Sequence, residues 1–284
     1  MTFRTRFAPS PTGPLHLGHA YSALYGHRLA EAKNGLWLLR IDDLDHSRSK
    51  PEWTQQIFDD LRWLGLAWPE PVRFQSQETA SYQTALDALA RAGVIYPCCC
   101  NRADIAQAAA APQEGVPEFG PDGRIYPGTC RQRSLSQAGA GDALRLNMRK
   151  AVKALQKPVT YEEFGTQLSE RITLKPEALI AQVGDVVLRR KDQGAAYHLA
   201  VVIDDDAQNI TDVVRGADLS AATQIHVVLQ QLLNIQTPRY HHHALIRDET
   251  GKRLAKRSDS EALSILRNAG HSAHDIKERL FSAG

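Results

Sequence analysis

One run near the N-terminus, Arg6-Phe7-Ala8-Pro9-Ser10-Pro11-Thr12-Gly13-Pro14-Leu15-His16-Leu17-Gly18-His19, constrains the fold more than any other stretch. It opens extended and apolar, as a first buried strand does, and breaks at three prolines and a glycine. His-Leu-Gly-His then stands where a helix should begin. Ala20, Ala23, Leu24, His27, Leu29 and Ala30 suit a helix from His19 to about Asn34, with Gly35 to end it. A strand, a tight turn and a helix N-terminus together make a phosphate site, because free backbone N–H groups and the positive end of the dipole face one point. Two imidazoles add donors there, and Gly18 lets a nucleotide ring approach the backbone. Taken alone, the histidine pair is equally compatible with capping or packing.

Strand and helix signals follow one another along the rest of the chain. Leu36–Ile41 reads as a second buried strand ending in Asp42-Asp43-Leu44-Asp45, and acids just past a strand's C-terminal end lie where open α/β sheets bind ligands. A solvated turn also accommodates Asp43 and Asp45. Helices are predicted over 51–64 and 78–92, and strands at 94–96, 144–148 and 183–189. Tyr197 and His198 suggest a helix or turn feeding an apolar segment. A parallel strand over 210–214 leads into Arg215-Gly216-Ala217-Asp218-Leu219 and a helix over 220–233, a second switch-point pattern. Arg215 there can grip a carboxylate through two N–H bonds, or serve as a helix-cap ion pair. His241-His242-His243 is too short for a metal tract and reads as a strand. Four of the six residues Lys252–Arg257 are basic, and Ser258 with Glu261 forms a capping box right after them. A cationic loop at a helix start suits a polyphosphate, although a solvated charge run has the same composition.

The 34 basic and 32 acidic residues leave a net charge of +2, which argues neither for nor against nucleic acid. No apolar run approaches the ~18–20 residues a bilayer demands, and no signal-peptide core precedes Pro9. A cytoplasmic protein without a membrane partner is expected, and four cysteines do not make a disulfide framework there. In an extended segment Cys98 and Cys100 share a face with Cys99 opposed, a spacing able to chelate a soft ion. Cys130 supplies a third thiolate. No histidine lies between Cys100 and Cys130, so the nearest fourth ligand is Tyr126, whose phenol a divalent metal can ionise. Reduced core thiols are the alternative.

Several of these strings resemble one family. "RFAPSPTGPLHLGH" resembles the first signature of class I aminoacyl-tRNA synthetases, in the form of the glutamyl/glutaminyl branch. "RIDDLD" resembles that branch's "RIED-D" element, with Asp42 where the family usually has Glu to meet the substrate ammonium. "VVRGADL", following a "Y-LA-V-DD" element, is similar to the stretches that place Tyr197 and Arg215 in the amino-acid pocket. "RLAKR" resembles a divergent second signature, "KMSKS": Lys256 matches the second lysine, Arg253 replaces the first and Ala255 the serine. "C-x-C … Y-x3-C" resembles the zinc element of the glutamyl-queuosine tRNA(Asp) synthetases, short relatives of glutamyl-tRNA synthetase, with Cys98, Cys100, Tyr126 and Cys130 as ligands.

The resemblance implies a class I Rossmann-type parallel sheet with a small zinc-containing insertion. It divides the chain into a first Rossmann half (1–97), the zinc insertion (98–131), a connective, acceptor-type subdomain (132–194), a second half (195–247) and the signature loop with a helical tail (248–284). His16, Gly18, His19 and Lys256 would bind ATP, with His16, His19 and Lys256 catalytic. Arg6, Phe7, Ala8, Pro9, Ser10, Asp42, Tyr197 and Arg215 would bind L-glutamate. One structural Zn²⁺ and an ATP-bound Mg²⁺ are implied. Only 27 residues run from Ser258 to Gly284, too few for an anticodon-binding domain. The implied reaction is glutamate activation without tRNA, then transfer to queuosine in the anticodon loop of tRNA(Asp), by a monomer. A truncated glutamyl-tRNA synthetase charging a 3′ end, or a non-catalytic RNA-binding paralogue, are the rival readings.

Overall fold

A parallel βαβαβ unit forms from the first 75 residues: β1 (Arg4–Phe7), α1 (Leu17–Ala32), β2 (Leu36–Ile41), α2 (Pro51–Trp63) and β3 (Arg73–Phe74), with strands in the order β1-β2-β3. Arg4 pairs with Leu36 and Phe7 with Leu39. The computed structural model describes residues 2–109, 118–164, 169–191, 194–246 and 262–281. After α3 (Thr79–Arg91) come β4 (Ile95–Cys98), α4 (Arg102–Ala109), β5 (Ala143–Leu146), α5 (Met148–Ala154), β6 (Val159–Phe164) and β7 (Ser169–Leu174). They are followed by β8 (Val187–Arg190), β9 (Gly194–Ala195), α6 (Tyr197–Ala207), β10 (Asp212–Gly216), α7 (Thr223–Leu232), β11 (Arg239–His243), α8 (Leu263–Asn268) and α9 (Ala273–Phe281).

A second sheet has the order β10-β11-β6-β7, parallel through its first three strands. Its strand β6 comes from within the 132–194 segment. The two parallel units meet where Thr211 N–H donates to Arg4 O (3.0 Å) and Arg4 N–H to Thr211 Oγ1 (2.8 Å). The C-terminal ends of β1 and β10 therefore flank one crevice, the switch point at which such sheets bind ligands. An antiparallel sheet, β9-β8-β5-β4, carries the cysteines at its edge.

Apolar periodicity explains the packing. Ile57, Leu61 and Leu64 of α2 and its C-cap, Ala20 and Leu24 of α1, and Leu39 and Ile41 of β2 share one core with Leu263 and Ile276 of the last two helices. Leu86, Leu89, Leu146, Leu188, Leu199 and Val227 build the other. Each core removes water from an entire helix face, the main favourable contribution to folding.

Several boundaries differ from expectation for local reasons. Helix α1 starts at Leu17, two residues early, because the His16 side chain caps it, and it ends at Ala32. Asn34 then takes a left-handed φ of 48°. A Cβ on Gly35 would lie 2.3 Å from Phe3 O, so only glycine allows the chain to turn this close to β1. The strand expected through Met148 stops at Leu146, since Asn147 caps α5 by accepting from Lys150 N–H at 3.1 Å. The strand expected over 183–189 is shorter, Val187–Arg190, with Val183 closing a wide helical turn. Tyr197 and His198 already belong to α6. The expected 210–214 strand shifts to 212–216, because Ile210 N–H closes α6 on Asp205 O at 2.8 Å. The helix predicted from Ser220 begins as 3₁₀ turns over Ala217–Ala222. Lys256, the rest of "RLAKR" and the Ser258–Glu261 capping box lie outside the described residues. Among the described residues no helix is long and apolar enough to cross a membrane.

Candidate active site

A cleft of about 690 Å³ opens between the ends of β1 and β10 and the start of α1. Arg6, Phe7, Ala8, Pro9, Ser10, His16, Gly18, His19, Asp42, Tyr197 and Arg215 all line it. Positions separated by up to two hundred residues in the chain thus share one cavity. Lys256 is outside the described residues.

The helix end of the cleft gathers hydrogen-bond donors. Gly18 N–H donates to His16 Nδ1 at 3.1 Å, and His16 N–H donates to His19 Nδ1 at 3.3 Å. The rings stack at 3.8 Å. Since each Nδ1 accepts a backbone N–H, a neutral ring must carry its proton on Nε2, so both histidines are fixed as Nε2 donors. A Cβ on Gly18 would sit 3.0 Å from His16 Cε1, and its absence lets the imidazole fold over the first turn.

The opposite end is a lattice of buried charges. Arg6 makes a two-pronged pair with Asp205, Nε to Oδ1 at 2.8 Å and Nη2 to Oδ2 at 3.1 Å. Arg40 bridges Asp205 (Nη1 to Oδ1, 2.6 Å) and Asp42 (Nε to Oδ1, 2.7 Å). Burial works against the charge of Arg40, but Asp42, Asp205 and Asp204 together hold its pKa well above the ordinary value. Burial pushes the Asp42 carboxyl up against the pull of Arg40. Asp205 is driven up by burial as well, yet Arg6 and Arg40 outweigh it and keep its pKa below the usual range. Behind them Asp204 accepts from Arg73, Gln75 and Tyr82, each at 2.8 Å.

Arg215 differs from its neighbours. Its Nε donates to His242 Nε2 at 3.1 Å, Nη1 to His226 Nδ1 at 3.2 Å and Nη2 to Thr223 Oγ1 at 2.7 Å. Among the described residues no carboxylate lies within ion-pair distance of it. Asp204 is fully buried and 3.9 Å from Arg40 Nε, so Arg6, Arg40 and Arg215 stand with three carboxylates, Asp42, Asp204 and Asp205, which pair with Arg6 and Arg40 and not with Arg215. A buried guanidinium without a carboxylate partner favours an anion beside it.

Sequence reasoning missed Arg40, Asp205, Thr223, His226 and His242. Arg40 carried a signal, a cation inside the apolar run Leu36–Ile41. The histidines carried none beyond composition, because their partner is set by the fold.

The thiols of Cys98, Cys100 and Cys130 lie within 4.8 Å of one another. Tyr126 Oη is 3.4 Å from the sulfurs of both Cys98 and Cys100, and the Cys100 and Cys130 sulfurs are 3.5 Å apart. Ligand–ligand edges around a tetrahedral Zn²⁺ come to roughly 3.3–3.8 Å, a range that holds the contacts of Tyr126 with Cys98 and Cys100 and of Cys100 with Cys130. Cys99 competes, with its sulfur 3.7 Å from that of Cys130. Burial raises the Cys130 thiol, but hydrogen bonds from Tyr126 and from the Cys99 backbone bring it down to about 6. Burial lifts Cys100 to about 11.

The sequence profile of class I tRNA synthetases (E and Q), catalytic domain, matches residues 2–280. The chain belongs to this family, and it is a class I aminoacyl-tRNA synthetase-type ligase. Its curated relatives are more specific. The chain is 51% identical over 276 residues to the glutamyl-Q tRNA(Asp) synthetase of Rhodobacter capsulatus, covering 96% of this chain and 98% of that one. It is 39% identical over 284 residues to the glutamyl-Q tRNA(Asp) synthetase of Nitratidesulfovibrio vulgaris, covering 96% and 83%. Among solved structures, the glutamate tRNA ligase from Elizabethkingia meningosepticum in complex with its amino acid superposes with a TM-score of 0.69 at 24% identity. That match covers 95% of this chain and 54% of the ligase, and it supports the class I fold.

Proposed function

We propose that the chain activates L-glutamate with ATP and passes it to queuosine at the wobble position of tRNA(Asp). The observation that carries this reading is the union, in one cleft, of an anion-binding helix start with a buried pocket holding an unneutralised guanidinium, Arg215. In the first step a glutamate α-carboxylate oxygen attacks the α-phosphorus of ATP. The bond from that phosphorus to the bridging oxygen breaks, and pyrophosphate leaves. No protein nucleophile is required; positioning and charge neutralisation carry the step. His16 and His19 donate to the phosphates from Nε2, the backbone of Gly18 allows close approach, and Lys256 neutralises the departing pyrophosphate. Mg²⁺ accompanies the nucleotide.

Arg215 takes the glutamate side-chain carboxylate. Asp42, held in place by Arg40, meets the ammonium, and Tyr197 forms a wall. Arg6 shapes the floor with Phe7, Ala8, Pro9 and Ser10. In the second step a queuosine ring hydroxyl attacks the acyl carbon and loses its proton, and AMP departs. A structural Zn²⁺ held by Cys98, Cys100, Tyr126 and Cys130 would tie β4 to the segment around Cys130, leaving no ligand position for water.

The test is pyrophosphate exchange with glutamate in the absence of tRNA, then transfer of labelled glutamate to tRNA(Asp) with and without queuosine. Label on the modified tRNA that survives periodate destruction of the 3′ end supports the reading. Label on tRNA(Glu) at an intact 3′ end overturns the acceptor, and absence of exchange overturns the activity.

A further inference from the structure

Five N–H groups of Arg215 face three protein acceptors, leaving one N–H on each terminal nitrogen, the complement a carboxylate takes in a two-pronged grip. The acceptors are unusual because two are imidazoles. A guanidinium only donates, so His226 Nδ1 and His242 Nε2 must each offer a lone pair. Both rings are then neutral and in fixed tautomers.

The hydrogen bonds continue outward in one direction. His226 carries its proton on Nε2 and donates to His198 Nδ1 at 3.1 Å. His198 is left with its proton on Nε2, which faces Asp122 Oδ1 at 3.2 Å. On the other side His242 carries its proton on Nδ1 and donates to Glu163 Oε1 at 2.8 Å. Each chain ends on a carboxylate that does not line the cleft. Asp122 sits at the turn of the small hairpin Phe119–Gly120/Gly123–Arg124, inside the segment that bears the cysteines. Glu163 lies on β6, beside β11.

We propose that Glu163 and Asp122 are positioning residues for Arg215: through His242, and through His198 and His226, they lock the imidazole tautomers that keep two guanidinium N–H groups available to a carboxylate substrate. The inference rests on the proposed glutamate site. It also gives the cysteine-bearing insertion a physical link to the amino-acid pocket, since Asp122 belongs to that insertion. The two rings that accept from Arg215 are held against protonation. Facing His226 are Arg215, His198, Arg6 and His242; burial first, then the positive charge of Arg215, holds it well below the ordinary imidazole range. Facing His242 are Arg215, Glu163 and His243, and burial again lowers it.

The experiment compares Glu163→Gln and Asp122→Asn with the unaltered full chain in glutamate-dependent pyrophosphate exchange, with histidine ¹⁵N spectra of each. Loss of one charged anchor should raise the KM for glutamate roughly ten-fold. The KM for ATP and kcat at saturating glutamate should stay within about two-fold. The spectra of the unaltered protein should place the proton on Nδ1 of His242 and on Nε2 of His226 and His198, and each variant should shift the resonances of its own branch. A folded variant with an unchanged glutamate KM overturns the proposal. So does a loss spread equally over ATP and glutamate, or a ring found in the opposite tautomer. Asp122 is partly exposed, so its variant remains informative if Glu163→Gln does not fold. Failure of the glutamate reading itself would appear separately, as absence of glutamate-dependent exchange in the unaltered chain.

Discussion

Arg6 and Asp205, 199 residues apart in the chain, face each other in a buried two-pronged ion pair, which distinguishes Arg6 from Arg215. Arg6 meets its countercharge inside the fold. Arg215 meets only neutral acceptors, so it is the guanidinium with attraction to spare. Asp205→Asn leaves Arg6 and Arg40 with an uncompensated buried charge. It should destabilise the protein by about 3–5 kcal/mol, read as a lower urea midpoint at unchanged slope. A change under about 1 kcal/mol would mean that the pair contributes little to holding β1 against α6.

Arg215→Lys keeps the positive charge and removes the planar fork. Lysine cannot meet His242, His226, Thr223 and a substrate carboxylate together. The KM for glutamate should rise ten- to one-hundred-fold, about 1.5–3 kcal/mol, with the KM for ATP unchanged. Substrate titrations in pyrophosphate exchange separate the two.

His16 caps α1 and, in the proposed reaction, donates to a phosphate; two substitutions divide these roles. His16→Ala removes both the helix cap and the imidazole, so it should cost about 1 kcal/mol of stability. His16→Asn retains a capping oxygen and should unfold near the unaltered midpoint. Both should lose roughly 10²-fold in exchange rate at saturating substrates. If Asn restores activity together with stability, the imidazole has no direct part in the chemistry.

The fold was legible because its strands and helices announce themselves by periodicity and by their stops. Leu36–Ile41 and the existence of α1 follow from a few apolar residues and one glycine, whereas the α1 start falls two residues earlier than expected because His16 caps it. The cleft was legible where a local string carries the signal, as in Arg215 followed by a glycine and an acid at a strand end. It was illegible where a residue's meaning comes from a distant partner. Arg40 looks like an interruption in a strand until Asp205, 165 residues on, is beside it. His241, His242 and His243 read alike in sequence, but strand alternation sends them to Asp212, Arg215 and Ser22 respectively. Composition cannot sort three identical side chains; a parallel register can.

Asp60 gives a pH dependence of known sign. It is fully buried on α2, its oxygens accept no well-aligned hydrogen bond, and Arg267 Nη1 stands 3.3 Å away on α8. Burial raises its pKa from 3.8 to about 6, against the pull of Arg267. The folded protein therefore binds this proton more tightly than the unfolded chain. Its contribution to stability is fully present below about pH 4 and is lost as pH rises through about 6. Asp60→Asn removes the dependence, so the stability difference between variant and parent should move in favour of the variant between pH 4 and 8. Urea midpoints across that range check it; a difference independent of pH would show that Asp60 is not perturbed.

The cysteine cluster makes the last prediction, because the fourth thiol supplies its own control. Cys98, Cys100 and Cys130 converge with Tyr126, whereas Cys99 is exposed and touches only the edge of the group through Cys130. If zinc is held by the first four, the purified chain should carry about one Zn²⁺ by elemental analysis. Cys100→Ser and Cys130→Ser should lose it, while Cys99→Ser should retain it. Tyr126→Phe keeps three thiolates and loses the phenol, so zinc should remain bound at neutral pH but pass to a competing chelator faster. Removing the ion leaves only the thiol and phenol hydrogen bonds of Cys98, Cys100, Tyr126 and Cys130 to hold β4 against the Cys130 segment, a weaker tie than metal–ligand bonds. Thermal unfolding should accordingly begin at lower temperature after chelation, and adding Zn²⁺ back should restore it. Zinc retained in Cys100→Ser but lost from Cys99→Ser would move the ligand assignment one residue along the strand.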